Sequence, residues 1–127
     1  MIELLPGKDG LEIALPEGKM VLKRDLGYSP VELTVVAVSA CATYVLESIL
    51  DKQHVTYEIL KTTMTYERNE EKRANPIKSI DITFEIRADE SAHAKIQKAT
   101  RLIAGNCPVI QTLDEDVEVI EEIVFVD

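Results

Sequence analysis

The chain has 127 residues, 46% of them hydrophobic, and a formal net charge of -9. That length suits about one domain able to bury most of its apolar surface, and the composition excludes a disordered chain. The charge opposes a phosphate backbone: the only adjacent cations, Lys23-Arg24 and Lys72-Arg73, stand beside Asp25 and Glu70-Glu71, so no nucleic acid is expected as a partner.

The N-terminal residues show no charged segment followed by an apolar stretch and a small-residue cleavage site, so no export signal is read. The expected location is cytoplasmic, where two cysteines are more often free or redox-active than a structural disulfide. Residues 2–5 and 11–15 read as short strands about the turn Gly7-Lys8-Asp9-Gly10, and a third is expected over residues 20–24. No internal repeat or linker divides the sequence, and a single domain over residues 1–127 is expected.

Ser29-Pro30-Val31-Glu32 reads as a capping box, with a hydroxyl at the N-cap, proline at the first helical position and glutamate three residues on. The helix it opens is expected to run to about Lys52. Its middle is apolar nearly all round (Leu33, Val35, Val36, Val38, Cys41, Val45, Leu46), which predicts burial on most faces. The apolar stretch over residues 33–46 reads as too short to cross a bilayer, and no membrane partner is expected.

Val55, Tyr57 and Ile59, then Met64 and Tyr66, suggest a long strand whose alternation is imperfect, and residues 69–75 read as a charged loop ended by Pro76. Ile80, Ile82, Phe84 and Ile86 alternate cleanly with polar residues, as a half-buried strand requires. An amphipathic helix is expected over residues 90–104, carrying Ala94, Ile96, Ala99, Leu102 and Ile103, with Gly105 or Asn106 as its stop. Residues 117–126 close the chain as a strand, with Glu118, Glu121 and Glu122 read as its solvated side. The order βββ–α–ββ–α–β is that of an α+β fold with antiparallel sheet and segregated helices.

Cys41 falls near the middle of the first helix and Cys107 follows the second, in Gly105-Asn106-Cys107-Pro108-Val109. Taken alone, each reads as an ordinary small buried side chain rather than a nucleophile, since free cysteine is among the most buried residue types. Cys41 lies too deep in its helix to be activated by the N-terminal dipole, so activation would need a cation from another segment or chain. Cys41, His54, His93 and Cys107 lack the close spacings of a zinc site, and Asp114-Glu115-Asp116 lacks the spaced ligands and central glycine of a calcium loop; no metal and no cofactor is expected. The Gly-x-Ser-x-Gly elbow of a hydrolase is absent.

The segments Ser29-Pro30-Val31-Glu32-Leu33 and Ala37-Val38-Ser39-Ala40-Cys41, followed by Cys107-Pro108-Val109-Ile110-Gln111-Thr112-Leu113, resemble the two signature motifs of the OsmC/Ohr family, in the right order. The resemblance covers the chain from about Gly7 to the end. It implies the OsmC-like fold, with antiparallel sheets about a long buried central helix, in an intertwined homodimer. It further implies a thiol-dependent hydroperoxide reductase in which Cys41 is the peroxidatic and Cys107 the resolving cysteine. A dithiol, either a small thiol or a lipoylated protein, would reduce it. The family's activating pair is an arginine in the N-terminal glycine turn and a glutamate directly after the helix-opening proline. Here those positions hold Lys8 and Val31, as in a divergent OsmC-like branch, and Arg24 is a second candidate for the activating cation. Lysine keeps the charge but lacks the planar fork of arginine. The competing reading is a non-enzymatic OsmC-like dimer holding an apolar small molecule at an interface that includes Tyr28 and Tyr44.

Overall fold

The structure, a computed structural model, describes all 127 residues and divides into two compact units, Met1–Thr34 and Val35–Asp127.

The first unit is a meander of three short antiparallel strands, β1 (Leu4–Pro6), β2 (Leu11–Ala14) and β3 (Lys19–Val21), in the order β1-β2-β3. Leu5 pairs with Glu12 and Ile13 with Met20. Gly18 turns the second hairpin at a φ of 86°, which glycine adopts without strain. The third strand ends earlier than its hydrophobic run suggests. Past Leu22 the Gly27 N–H bonds the Lys23 carbonyl at 2.9 Å and Asp25 takes a φ of 72°, so Arg24 sits in a tight turn rather than on a strand. Gly27 is required there, because a Cβ would run into the Val21 carbonyl.

Helix α1 (Pro30–Lys52) opens as its sequence prescribes. The Glu32 N–H donates to Ser29 Oγ at 3.1 Å, and the Ser29 N–H donates to Glu32 Oε1 at 2.9 Å, satisfying two of the helix's orphan donors. Its far end is a Schellman motif. The Val55 N–H bonds the Leu50 carbonyl at 3.0 Å, the His54 N–H bonds that of Asp51 at 3.1 Å, and His54 holds the left-handed conformation with φ 56°. His54 thus stops the helix.

In the second unit β4 (Glu58–Arg68), β5 (Ile77–Arg87) and β6 (Glu118–Phe125) form a sheet in the order β4-β5-β6. The imperfect alternation of β4 has a simple cause: a bulge between Ile59 and Lys61 shifts the register by one, so that Ile59 is followed on the core side by Met64 and Tyr66. Only β4 and β5 run antiparallel; β6 lies parallel to β5, which corrects the expectation of a wholly antiparallel sheet. The reason is the connection. Residues 88–117 are mostly helical and long enough to return to the start of β5, as a parallel neighbour requires.

That connection is also more broken than the single expected helix. A 3-10 turn at Glu90–Ala92, capped by Asp89, leads into α2 (His93–Thr100), α3 (Ile103–Asn106) and α4 (Pro108–Thr112). Gly105 lies inside α3 instead of stopping a helix. The break before α4 falls at Cys107, which is extended at φ -97° and ψ 109°; a residue before proline is pushed out of the helical region, and Pro108 then begins the next helix.

One core serves the second unit. Val35, Val38, Ala42, Leu46 and Leu50 of α1, Ile80, Ile82, Phe84 and Ile86 of β5, and Ile96, Ala99, Ile103 and Cys107 form a single buried cluster. The burial of α1 is therefore one stripe, not most faces as its composition suggested; Ala37, Ala40, Tyr44 and Ser48 stay exposed. A helix covered from one side buries only the residues three and four apart on that side. By length and composition α1 also suffices to cross a bilayer, contrary to the sequence reading, although its buried stripe is that of a core helix.

Candidate functional site

The fold brings the two cysteines together from remote parts of the chain. Cys41 is held midway along α1, on the border between its buried stripe and its exposed side, and remains half-buried. Cys107 is fully buried, at the extended step that Pro108 imposes between α3 and α4. Both are free thiols, near enough to each other that the Cys41 side chain acts on the Cys107 thiol. Burial pushes the Cys107 thiol up from its ordinary range, and the Cys41 thiol adds to the effect, while the amides of Ile110 and Val109 pull the other way. No cation is among the groups acting on Cys107. The arrangement thus holds Cys107 as a protonated thiol behind a more accessible one.

The hydroxyls around Cys41 are satisfied within the fold. Ser39 Oγ donates to the Val35 carbonyl at 2.9 Å, and Thr43 Oγ1 to the Ser39 carbonyl at 2.8 Å. Thr43 Oγ1 also lies 3.0 Å from Thr62 Oγ1, tying α1 to β4. Further along, the Tyr57 hydroxyl donates to Asp51 Oδ1 at 2.9 Å and to the Glu47 carbonyl at 3.3 Å. Burial and the Asp51 carboxylate push the Tyr57 phenol well above its ordinary range. α1 is pinned on both sides of Cys41, which fixes the thiol's position.

The two cation candidates belong to the first unit. Lys8 is exposed at the tip of the β1–β2 turn, and Arg24 is exposed in the turn after β3. Arg24 contributes to holding the Glu32 carboxyl below its usual range, after the larger contribution of the Ser29 amide. The Glu32 carboxylate itself is taken up by the capping box.

The histidines have structural roles. His93, half-buried at the start of α2, stacks on Phe125 with ring centroids 3.6 Å apart, and its Nε2 is 3.1 Å from the Ala88 carbonyl. His54 caps α1. No group of three or more His, Cys, Asp or Glu side chains converges as metal ligands would.

One titratable residue lies where the sequence reading did not put it. On β6, Val119, Ile123 and Phe125 pack on the core, and the two-residue period of a strand places Glu121 on the same face, opposite Ile82. Its Oε1 is buried without a hydrogen-bond partner, and desolvation raises its carboxyl above the ordinary range. The signal was present in the spacing of Val119, Ile123 and Phe125, but the surrounding acids Glu118 and Glu122 masked it.

A long core helix, a split α+β arrangement and two adjoining free thiols define a two-cysteine thiol protein. The sequence matches the family model of the OsmC-like proteins over residues 23–122, and the chain belongs to that family. Its fold is similar to that of the OsmC-like protein from Mycoplasma pneumoniae, at a TM-score of 0.81 and 14% identity over 100% of this chain and 96% of that one. A hypothetical protein from Aquifex aeolicus superposes at 0.77 with 19% identity, covering 100% and 97%. The organic hydroperoxide resistance protein OhrB of Bacillus subtilis superposes at 0.64 with 18% identity, covering 98% of each chain. No curated protein matches the chain in sequence.

Proposed function

We propose that this chain is a thiol-dependent reductase of organic hydroperoxides, with Cys41 as the peroxidatic and Cys107 as the resolving cysteine. One observation carries the reading: a half-buried thiol adjoins a fully buried, protonated one. The Cys41 thiolate attacks the hydroperoxide R–O–O–H; an S–O bond forms, the O–O bond breaks, and the alcohol leaves after taking a proton. The Cys107 thiol then displaces the hydroxyl of the Cys41 sulfenic acid, releasing water and leaving a disulfide. A dithiol, a small molecule or a lipoylated protein, returns both cysteines to thiols by exchange. The family, and the Bacillus subtilis relative named for organic hydroperoxide resistance, support this direction.

In this reading the working form is a cytoplasmic homodimer. The exposed Leu4, Leu5, Leu11 and Leu15 of the meander are the kind of apolar surface that a second copy covers. The activating cation is Lys8 or Arg24. The same exposed apolar residues favour the rival reading, an apolar-ligand binder without chemistry.

One experiment separates the two. The reduced protein is given one equivalent of cumene hydroperoxide and weighed by mass spectrometry beside a Cys107→Ser variant. A loss of about two daltons within seconds in the parent, with a sulfenic acid trapped at Cys41 in the variant, is the expected result. Two thiols intact after minutes would refute the reductase and leave the binder.

A further inference from the structure

We infer that Gln111 holds the Cys107 side of the thiol pair shut, so that the reductant attacks only the Cys41 sulfur of the disulfide and Cys107 departs as the leaving thiol. The assignment rests on the disulfide of the reading above.

Either sulfur of a disulfide can be attacked, and access decides which. The attacking thiolate comes in along the line of the S–S bond, from the side away from the sulfur that leaves. Burial separates the two. Cys107 is 0% exposed and belongs to the core cluster with Ile96, Ala99 and Ile103, whereas Cys41 is half-buried and packs at the edge of that cluster. The cover over Cys107 comes from this chain alone, so a second copy can only add to it.

The segment that carries Cys107 is tied down on both sides of the helix break. Asn106 Nδ2 donates to the Leu102 carbonyl at 2.7 Å, closing α3 on itself. Past the break, the Gln111 N–H donates to the Cys107 carbonyl at 3.0 Å, and Gln111 Nε2 reaches back to the Ala104 carbonyl at 2.8 Å. That last contact is the side-chain hydrogen bond that straps α4 to α3 across Cys107. Without it, the extended Cys107 is a joint about which two helices of four and five residues can part.

The step balances as follows. The reductant's thiolate forms a bond to Cys41 Sγ, the Sγ–Sγ bond breaks, and its electron pair goes to Cys107, which takes a proton from water. Burial favours that protonated state of Cys107. The second thiol of the dithiol then attacks the reductant's own bonded sulfur, releasing Cys41 and leaving the reductant as a cyclic disulfide.

The test makes the disulfide with diamide, which needs no hydroperoxide, and treats it with the monothiol 2-mercaptoethanesulfonate. The reaction is quenched in acid within seconds, and peptide mass spectrometry reads which cysteine carries the adduct. In the wild-type protein the adduct is expected on Cys41, at least about tenfold over Cys107. In Gln111→Ala the share on Cys107 is expected to rise about fivefold, the factor that goes with losing one ordinary hydrogen bond, while the Cys41 adduct forms at its wild-type rate. An adduct mainly on Cys107 in the wild-type protein overturns the attack on Cys41. An unchanged ratio in Gln111→Ala overturns the role of Gln111, as does an equal rise at both cysteines, which would show general loosening. A disulfide that forms with diamide but not with cumene hydroperoxide refutes the reductase and leaves this assignment standing; no disulfide even with diamide overturns both.

Discussion

The two units of the chain use their apolar residues in opposite ways. In Met1–Thr34 no side chain is fully buried, and Leu4, Leu5, Leu11, Leu15 and Leu26 remain exposed on and around three strands of three or four residues. In Val35–Asp127 lies every buried hydrophobic residue of the chain, gathered into one cluster. The difference is one of geometry more than composition. A small sheet has two faces and no enclosed side, so its leucines cannot leave water without a cover; a helix layered with a sheet traps whatever faces inward.

The largest test of that contrast is a pair of truncations. Phe84→Ala removes a fully buried ring from the centre of β5 and is expected to lower stability by about 3–5 kcal/mol, read as a shift in urea midpoint. Leu5→Ala, at an exposed position of β1, is expected to stay within about 0.5 kcal/mol in dilute protein. A large loss at Leu5 that grows with protein concentration would break the contrast and assign the cover to a second copy.

A smaller effect concerns the flaw in the better-packed unit. The Glu121 carboxyl is raised in the folded state, so the stability it contributes is fully present below its unfolded pKa and is lost as the pH rises through its higher folded one. Glu121→Gln is expected to gain about 1 kcal/mol at neutral pH and to flatten this part of the profile. Urea midpoints of both proteins from pH 4 to pH 8, roughly spanning the carboxylate range, measure it. A variant that loses stability uniformly with pH would show that Glu121 has a bonding partner.

The smallest effect is at the end of α1. His54 holds a φ of 56° that costs a residue with a Cβ more than glycine, and His54→Gly is expected to raise stability by about 0.5–1 kcal/mol. A thermal midpoint unchanged or lowered would mean that the imidazole makes a contact offsetting the strain.

Much of this architecture was legible beforehand, though unevenly. The capping box of α1 and the alternation of β5 were placed correctly, and the two motifs that carry Cys41 and Cys107 pointed to the family. The second helix was misjudged because its periodicity runs on through Leu102 and Ile103, while the chain takes a turn at Arg101 and Leu102 and Pro108 forces Cys107 out of the helical region. The acids of β6 were all given to solvent because acidic residues in a row suggest water, yet a strand turns alternate residues to the core whatever their charge.

What the sequence determined by itself is local: where α1 begins, which face of β5 is apolar, and which short motifs surround each cysteine. These follow from hydrogen bonds and periodicities within a few residues. The tertiary structure alone decided that β6 runs parallel to β5, that a bulge resets β4, and that the thiols of Cys41 and Cys107 adjoin. Each of those depends on segments remote in the chain packing at one register, and no window of neighbouring residues contains that information.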